Sequence, residues 1–401
     1  MPLHEIERDL KTLVTEIGCR HPGSPGNQQA VAYAARRLRE SGWDVQTSGF
    51  DCIDWERGRL TLTIDGRPVG AQISPYAPSC DVETEYVPVQ SLPELRTAEL
   101  DGKIAVLYGA IAREQIMPKG FVFYNPDHHQ EIIHLLEEKR PLAIVAITSR
   151  SPETAGGMYP FPLFEDGDFH IPSVYLSEEE GKAILSAPAG RIYLSIASRR
   201  IPSRGENVAG LKPGKSGKRI VFCAHIDTKM DTPGALDNAT GVAALLELSR
   251  LARDYRGGLG VELLLLNGED YYAVPGQMLY LRQNEDRFGE MVLAVNTDAA
   301  GCRGMRTGYC GFELSGALRR AMARSFADDH FTEIAPWEQS DHMIFVYNGV
   351  PAIALSSENL VELFSRITHT ERDSIDKVDP AMIGQIAHGM RHLIDEVEET
   401  L

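Results

Sequence analysis

The sequence predicts an α/β protein: a mostly parallel mixed sheet with helices on both faces, interrupted by an inserted β-rich domain. Three observations predict it. Four near-continuous apolar runs alternate with stretches of helical period, the pattern of parallel strands covered on both faces. Each run ends in polar or acidic residues. Between them and the amino terminus lies a region of short alternating runs, which reads as half-buried antiparallel strands. A chain of 401 residues accommodates two domains, or one large domain with an insertion.

The first run, Ile220-Val221-Phe222-Cys223-Ala224, reads as a buried strand that delivers His225 and Asp227 at its carboxyl end. A Gly/Pro turn comes next and carries Asp237 to the mouth of an apolar helix. The second run, Gly260 to Leu266, ends in Asn267-Gly268-Glu269-Asp270. The third, Met291 to Val295, ends in Asn296-Thr297-Asp298. The fourth, Pro351 to Leu355, leads through a short amphipathic stretch to Thr368-His369-Thr370. In open α/β sheets the carboxyl ends of the strands are where ligands bind.

If these strands are neighbours, Asp237, Glu269, Asp270 and Asp298 converge on one crevice with His225 and His369. Four carboxylates held out of bulk water repel one another and are costly to keep ionised without a cation. A divalent ion removes that penalty. Mixed imidazole and carboxylate ligands suit zinc, with cobalt or manganese as alternatives. An acidic residue at a strand end can instead cap the next helix, but that reading serves one aspartate better than the whole set.

Together these residues resemble the co-catalytic di-zinc exopeptidases, which include secreted bacterial aminopeptidases, glutamate carboxypeptidase II and the transferrin receptor. The shared order is His-x-Asp, Gly-Ala-x-Asp-Asn-x-x-Gly, an acidic pair, Asp, Ser-Asp-His and His-Thr, across about half of the chain. Upstream, Arg20-His21-Pro22-Gly23-Ser24-Pro25-Gly26-Asn27 and the helix after it resemble the family's entry into the catalytic domain. The resemblance implies two divalent ions. His225 and Asp298 would hold one, Asp270 and His369 the other, and Asp237 would bridge them. It implies Glu269 as the general base for the attacking water. Asp227 would be the carboxylate that fixes the tautomer of His225. A cis peptide at Asp237-Asn238 is also implied. The donor to the tetrahedral oxyanion stays open among Tyr347, Tyr271, Tyr272 and His342.

Two departures stand out. The acidic pair is Glu269-Asp270, where the family mostly has Glu-Glu. Aspartate is one methylene shorter, so the second ion is expected closer to the backbone or less tightly held. Tyr271-Tyr272-Ala273-Val274-Pro275-Gly276 replaces the usual Gly-Leu-x-Gly-Ser. Its tyrosines either reshape the substrate pocket or pack as ordinary helix aromatics.

The expected domains are residues 1–54 with 203–401, the catalytic part, and 55–202, the insertion. Linkers are placed near Cys52–Glu56 and Ser198–Gly205. The order of runs in the insertion resembles the protease-associated domain often found in this family, a lid or specificity module. Such insertions can mediate homo-oligomers.

Charge is strongly acidic, with 57 Asp and Glu against 40 Lys and Arg, which argues against nucleic-acid and anionic-membrane partners. Met1 to Arg8 has no apolar core, and no run of about 18 apolar residues occurs. Six scattered cysteines without a CxxC pair fit a reduced, cytoplasmic chain.

Several motifs are discounted. Gly214-Lys215-Ser216 lacks the upstream glycine of a phosphate loop, and Asn238-Ala239-Thr240 is a sequon inside the metal motif. His128, His129 and His134 read as surface histidines. The last helix, about Pro380 to Glu398, is expected to pack on the sheet.

The function this implies is a metal-dependent exopeptidase, foremost an aminopeptidase acting on short peptides. A dipeptidase or carboxypeptidase is the nearest alternative. A glutaminyl cyclase-like acyltransferase would use one zinc; against it, both histidine positions are filled and Thr368, not tryptophan, precedes His369. A non-catalytic binding protein would show an eroded ligand set.

Overall fold

The four apolar runs lie side by side as neighbouring strands of one sheet. In the computed structural model, which describes residues 3–150, 158–187 and 190–400, the chain forms two units. One is Met1–Cys52 with Ser203–Leu401, and the other is Ile53–Pro202. The segments expected as linkers are not loose. They belong to long strands, β1 (Asp44–Glu56) and β2 (Arg199–Lys212).

The first unit is built on eight strands. Besides β1 and β2 these are β3 (Arg219–His225), β4 (Gly260–Leu266), β5 (Met291–Thr297), β6 (Thr307–Phe312), β7 (Phe331–Glu333) and β8 (Ala352–Ser357). Their order is β1-β2-β4-β3-β5-β8-β6-β7. The centre, β4-β3-β5-β8, is parallel. Antiparallel pairs flank it, β2 on β4 and β6 on β8. Register aligns the strand ends. His225 pairs with Leu266, and Cys223 with Asn296, which puts His225 level with Asp298. The chain therefore leaves β3, β4 and β5 at the same edge of the sheet, within about one residue of a common level.

Every residue of β4 is buried, including Glu262, which meets the Arg219 guanidinium at 3.0 Å. Such strands have both faces covered, so their sequences are apolar throughout. The covering helices are α1 (Leu3–Leu10), α2 (Pro25–Glu40), α3 (Thr240–Leu251), α4 (Pro275–Gln283), α5 (Gly316–Ser325), α6 (His342–Val346), α7 (Leu360–Arg366) and α8 (Pro380–Thr400). Helix α3 is buried almost all round, as an apolar helix in the centre of a layer must be. Helix α8 packs on α3 and α5 and also reaches the sheet, where Met390 Sδ accepts the Thr297 hydroxyl of β5 at 3.8 Å.

A buried carboxylate ties the first helix in. Asp9 of α1 accepts the Tyr33 hydroxyl at 2.5 Å, Arg37 Nε at 3.1 Å and both Arg250 amino groups at 3.0 Å. One residue thus joins α1 to α2 and α3.

The second unit holds an eight-stranded sheet of its own. Strands Cys80–Val89, Ile104–Leu107, Ala143–Thr148 and Ser173–Ser177 run parallel. Leu60–Ile64 and Arg191–Ile196 continue it antiparallel. Ile104–Leu107 and Ala143–Thr148 are wholly buried, and helices Leu92–Thr97, Asp127–Lys139 and Glu178–Leu185 accompany them. The insertion thus combines parallel strands and helices with its alternating antiparallel strands. Among the described residues, no helix is long and apolar enough to cross a membrane.

Candidate metal centre

Three strand ends and the segment after α7 meet at the carboxyl edge of the parallel strands. His225 closes β3, Glu269 and Asp270 come after β4, Asp298 after β5, and His369 after α7. Asp237 arrives on the turn before α3. Its two oxygens face different imidazoles: Oδ1 lies 3.0 Å from His225 Nε2, and Oδ2 lies 3.0 Å from His369 Nε2. Asp298 Oδ1 is 3.5 Å from His225 Nε2, and Asp270 Oδ1 is 3.2 Å from His369 Nε2. Two ligand triplets result, His225–Asp237–Asp298 and Asp237–Asp270–His369, with Glu269 beside His225 and Asp270.

These spacings fit divalent ions. Ligand bonds of about 2.1 Å in tetrahedral array put donor atoms about 3.4 Å apart. The donor set is imidazole plus carboxylate, which suits zinc. Both ring nitrogens of buried His225 lack a hydrogen-bond partner of acceptable geometry, although Asp237 comes so close. A buried imidazole in that state is oriented to share an ion. Four carboxylates (Asp237, Glu269, Asp270, Asp298) surround two imidazoles, so even two imidazolium rings leave a net negative charge for cations to balance. Burial raises the Glu269 carboxyl well above its usual range; His225 opposes this, while Asp270 and Asp298 add to it.

The backbone around the ligands is held by buried groups. Asp227 Oδ1 accepts the N–H of Gly268 at 2.7 Å and of Glu269 at 3.2 Å, while Oδ2 accepts that of Asp270 at 3.0 Å. Its distance to His225 Nδ1 is 3.7 Å, too long for a hydrogen bond. Asp227 thus organises the acidic pair while its carboxylate faces the buried Nδ1 of His225 across that gap. Asp270 spends its second oxygen on the Lys229 N–H at 3.1 Å. Asp298 Oδ2 accepts the Ser340 hydroxyl at 2.5 Å, and Ser340 in turn accepts Asn296 Nδ2 at 2.9 Å.

Two residues of this framework are not legible in the sequence. Asp373 anchors the turn that carries Asp237. Arg20, notable in the sequence only within an entry motif, is fully buried and bonds with carbonyls of the neighbouring loops. Burial, with Asp237 nearby, pushes the Asp373 carboxyl up to about 7. Gly234 is required here. At φ +59° a Cβ would lie 2.2 Å from Thr228 Cγ2 and 2.6 Å from Asp237 O. The Asp237–Asn238 peptide is cis. Asn238 is buried, its amide donating to Thr297 O at 2.8 Å, which leaves no room for a glycan.

Residues 207–394 match peptidase family M28. These residues, a little under half of the chain, are similar to that family. Among similar proteins, the "Probable lipoprotein aminopeptidase LpqL" of Mycobacterium tuberculosis is 25% identical, the match covering 94% of this chain and 80% of that one. Of solved structures, the aminopeptidase from Aneurinibacillus sp. strain AM-1 is similar with TM-score 0.77 and 18% identity over 98% of this chain and 93% of its own. BSAP, a zinc aminopeptidase from Bacillus subtilis, gives TM-score 0.74 and 18% identity over 98% and 94%.

Around the site the oxyanion candidates separate. His342 is buried between Phe312 and Trp337, with Nε2 donating to Trp337 O at 2.9 Å, so its ring is already committed. Tyr271 and Tyr272 are buried with their rings 4.4 Å apart, while Tyr347 is exposed.

In the second unit, Glu114, His128 and His129 cluster. His129 Nδ1 accepts the Met117 N–H at 3.2 Å, which puts the proton of the neutral ring on Nε2, facing Glu114 at 3.3 Å. That tautomer satisfies the carboxylate and leaves Nε2 no lone pair for a metal.

Proposed function

We propose that this chain is a metal-dependent aminopeptidase that removes amino-terminal residues from short peptides. The observation that carries the reading is Asp237, with one oxygen 3.0 Å from each of two imidazoles. His225, Asp237 and Asp298 would hold one divalent ion, zinc foremost, and Asp237, Asp270 and His369 the second. Such a pair supplies Lewis acidity to a scissile carbonyl and to water. Glu269 is the general base. Its carboxylate, beside His225 and Asp270, is placed to take a proton from water and hand it to the leaving amine. The surrounding carboxylates favour a cationic α-amine over a blocked chain end. Asp227 holds Glu269 and Asp270 in register and touches no substrate.

Support comes also from relatives named as aminopeptidases and from a likeness of fold over nearly the whole chain. A reducing compartment, the cytoplasm, belongs to the same proposal, supported by cysteines scattered along the sequence without a CxxC pair.

The test is metal analysis of the purified protein beside hydrolysis of aminoacyl amides and their N-acetylated counterparts. Two bound ions, cleavage only of free amines, and a loss of about 10²–10⁴-fold in Glu269→Gln with metals retained would support it. No metal uptake after zinc addition together with no cleavage would leave a binding protein.

A further inference from the structure

Three successive backbone N–H groups end on one residue. Ala235 donates to the Asp373 carbonyl at 3.1 Å, Leu236 to Oδ1 at 2.7 Å and Asp237 to Oδ2 at 3.0 Å. Asp373 is wholly buried, so no water competes for these bonds. The same loop is gripped by Arg20. Its guanidinium donates to Pro233 O and Gly234 O at 2.8 Å each, to Ile226 O at 3.1 Å, and to Leu13 O and Gly18 O at 3.2 and 3.0 Å. Its own N–H donates to Thr228 Oγ1 at 2.9 Å. The strand end beyond His225 and the turn leading to Asp237 are therefore fastened to one cation. All of these partners are backbone or hydroxyl, and none is a metal ligand side chain.

We propose that Asp373 and Arg20 are positioning residues that hold Asp237 with its oxygens turned to His225 and His369 before any ion arrives. The inference rests on the metal-centre reading above and goes beyond it. Because Asp237 faces both imidazoles, a slackened tether weakens both ions together. Loss of an ordinary structural contact has no such signature. Asparagine at 373 keeps one acceptor and turns an amide toward the other N–H, and lysine at 20 cannot reach several carbonyls with one ammonium.

Two measurements test this. The first is amide hydrogen exchange on the chelator-stripped wild-type protein. Ala235, Leu236 and Asp237 are expected to be protected without metal; free exchange that zinc alone suppresses would overturn the proposal. The second is Co²⁺ titration followed by its visible absorption, for wild type, Asp373→Asn and Arg20→Lys, with circular dichroism as the check on folding. Each of the two affinities is expected to fall by about tenfold or more in both variants. Affinities within twofold of wild type in folded variants would overturn it. A wild-type protein that takes up no Co²⁺ would overturn the metal reading itself, whereas the exchange experiment reads the tether with no ion present.

Discussion

Asp227 accepts the backbone N–H of Asp270 at 3.0 Å, and through that bond a residue just past the end of β3 sets where Asp270, past the end of β4, points. The same carboxylate takes the N–H groups of Gly268 and Glu269. A turn that must present two adjacent acids outward cannot satisfy its own donors, so a buried acceptor from the neighbouring strand end does so.

Replacing this acceptor isolates its contribution. Asp227→Ala strands three N–H groups and should cost about 1–3 kcal/mol for each one left without water. Thermal melting should show the loss. Activity per folded molecule should fall as well, since Glu269 and Asp270 move together.

The two ions should differ in strength. His369 is 30% exposed, whereas His225 is fully buried, so water and chelator reach the second triplet more readily. A graded chelator should therefore remove one equivalent well before the second. Asp270→Asn should weaken only the first-released ion, which metal titration can read. Equal release of both ions would refute this asymmetry.

His342 gives the fold a defined acid sensitivity. Burial pulls its pKa down to about 4, against a weaker pull upward from Trp337 O and Asp298. Its unfolded value lies near 6.5, so between those limits the unfolded chain binds more protons and stability rises with pH. The contribution is intact above about 6.5 and is lost progressively as pH falls toward 4, by up to about 3 kcal/mol. Urea midpoints of metal-free wild type and His342→Gln, compared from pH 7.5 to 4.5, should converge as the acid end is approached.

Asp9 should matter for stability alone. Asp9→Ala removes one shared carboxylate while Arg37 keeps Glu5 and Glu40 and Arg250 keeps Glu247, and should cost about 1.5–3 kcal/mol. Melting temperature should fall while kcat of the remaining folded enzyme stays unchanged.

Cys19 should be the thiol that reacts first. Burial would raise its pKa, yet the hydrogen bond and charge of His21, 3.4 Å away, bring it down to about 7. Cys80 and Cys310 are pushed up to about 11 by burial. A maleimide at pH 7.5 should label one site rapidly, and Cys19→Ser should abolish that phase.

The sequence by itself determined the central strands and the chemistry at their ends. Strands buried on both faces must be apolar throughout, so β3, β4, β5 and β8 were legible as runs, and clustered acids beside histidines announce a cation. The antiparallel flank β6 carries no such run, and β2, half-polar with a proline, read as a linker. Only the tertiary structure decided that Asp227 serves the turn after β4, that Asp373 anchors Asp237, and that Arg20 binds carbonyls. Those partners are backbone N–H and C=O groups, which nearly every residue carries alike. Which of them lack a partner within their own element depends on how turns distant in the chain meet, and no side-chain pattern records that.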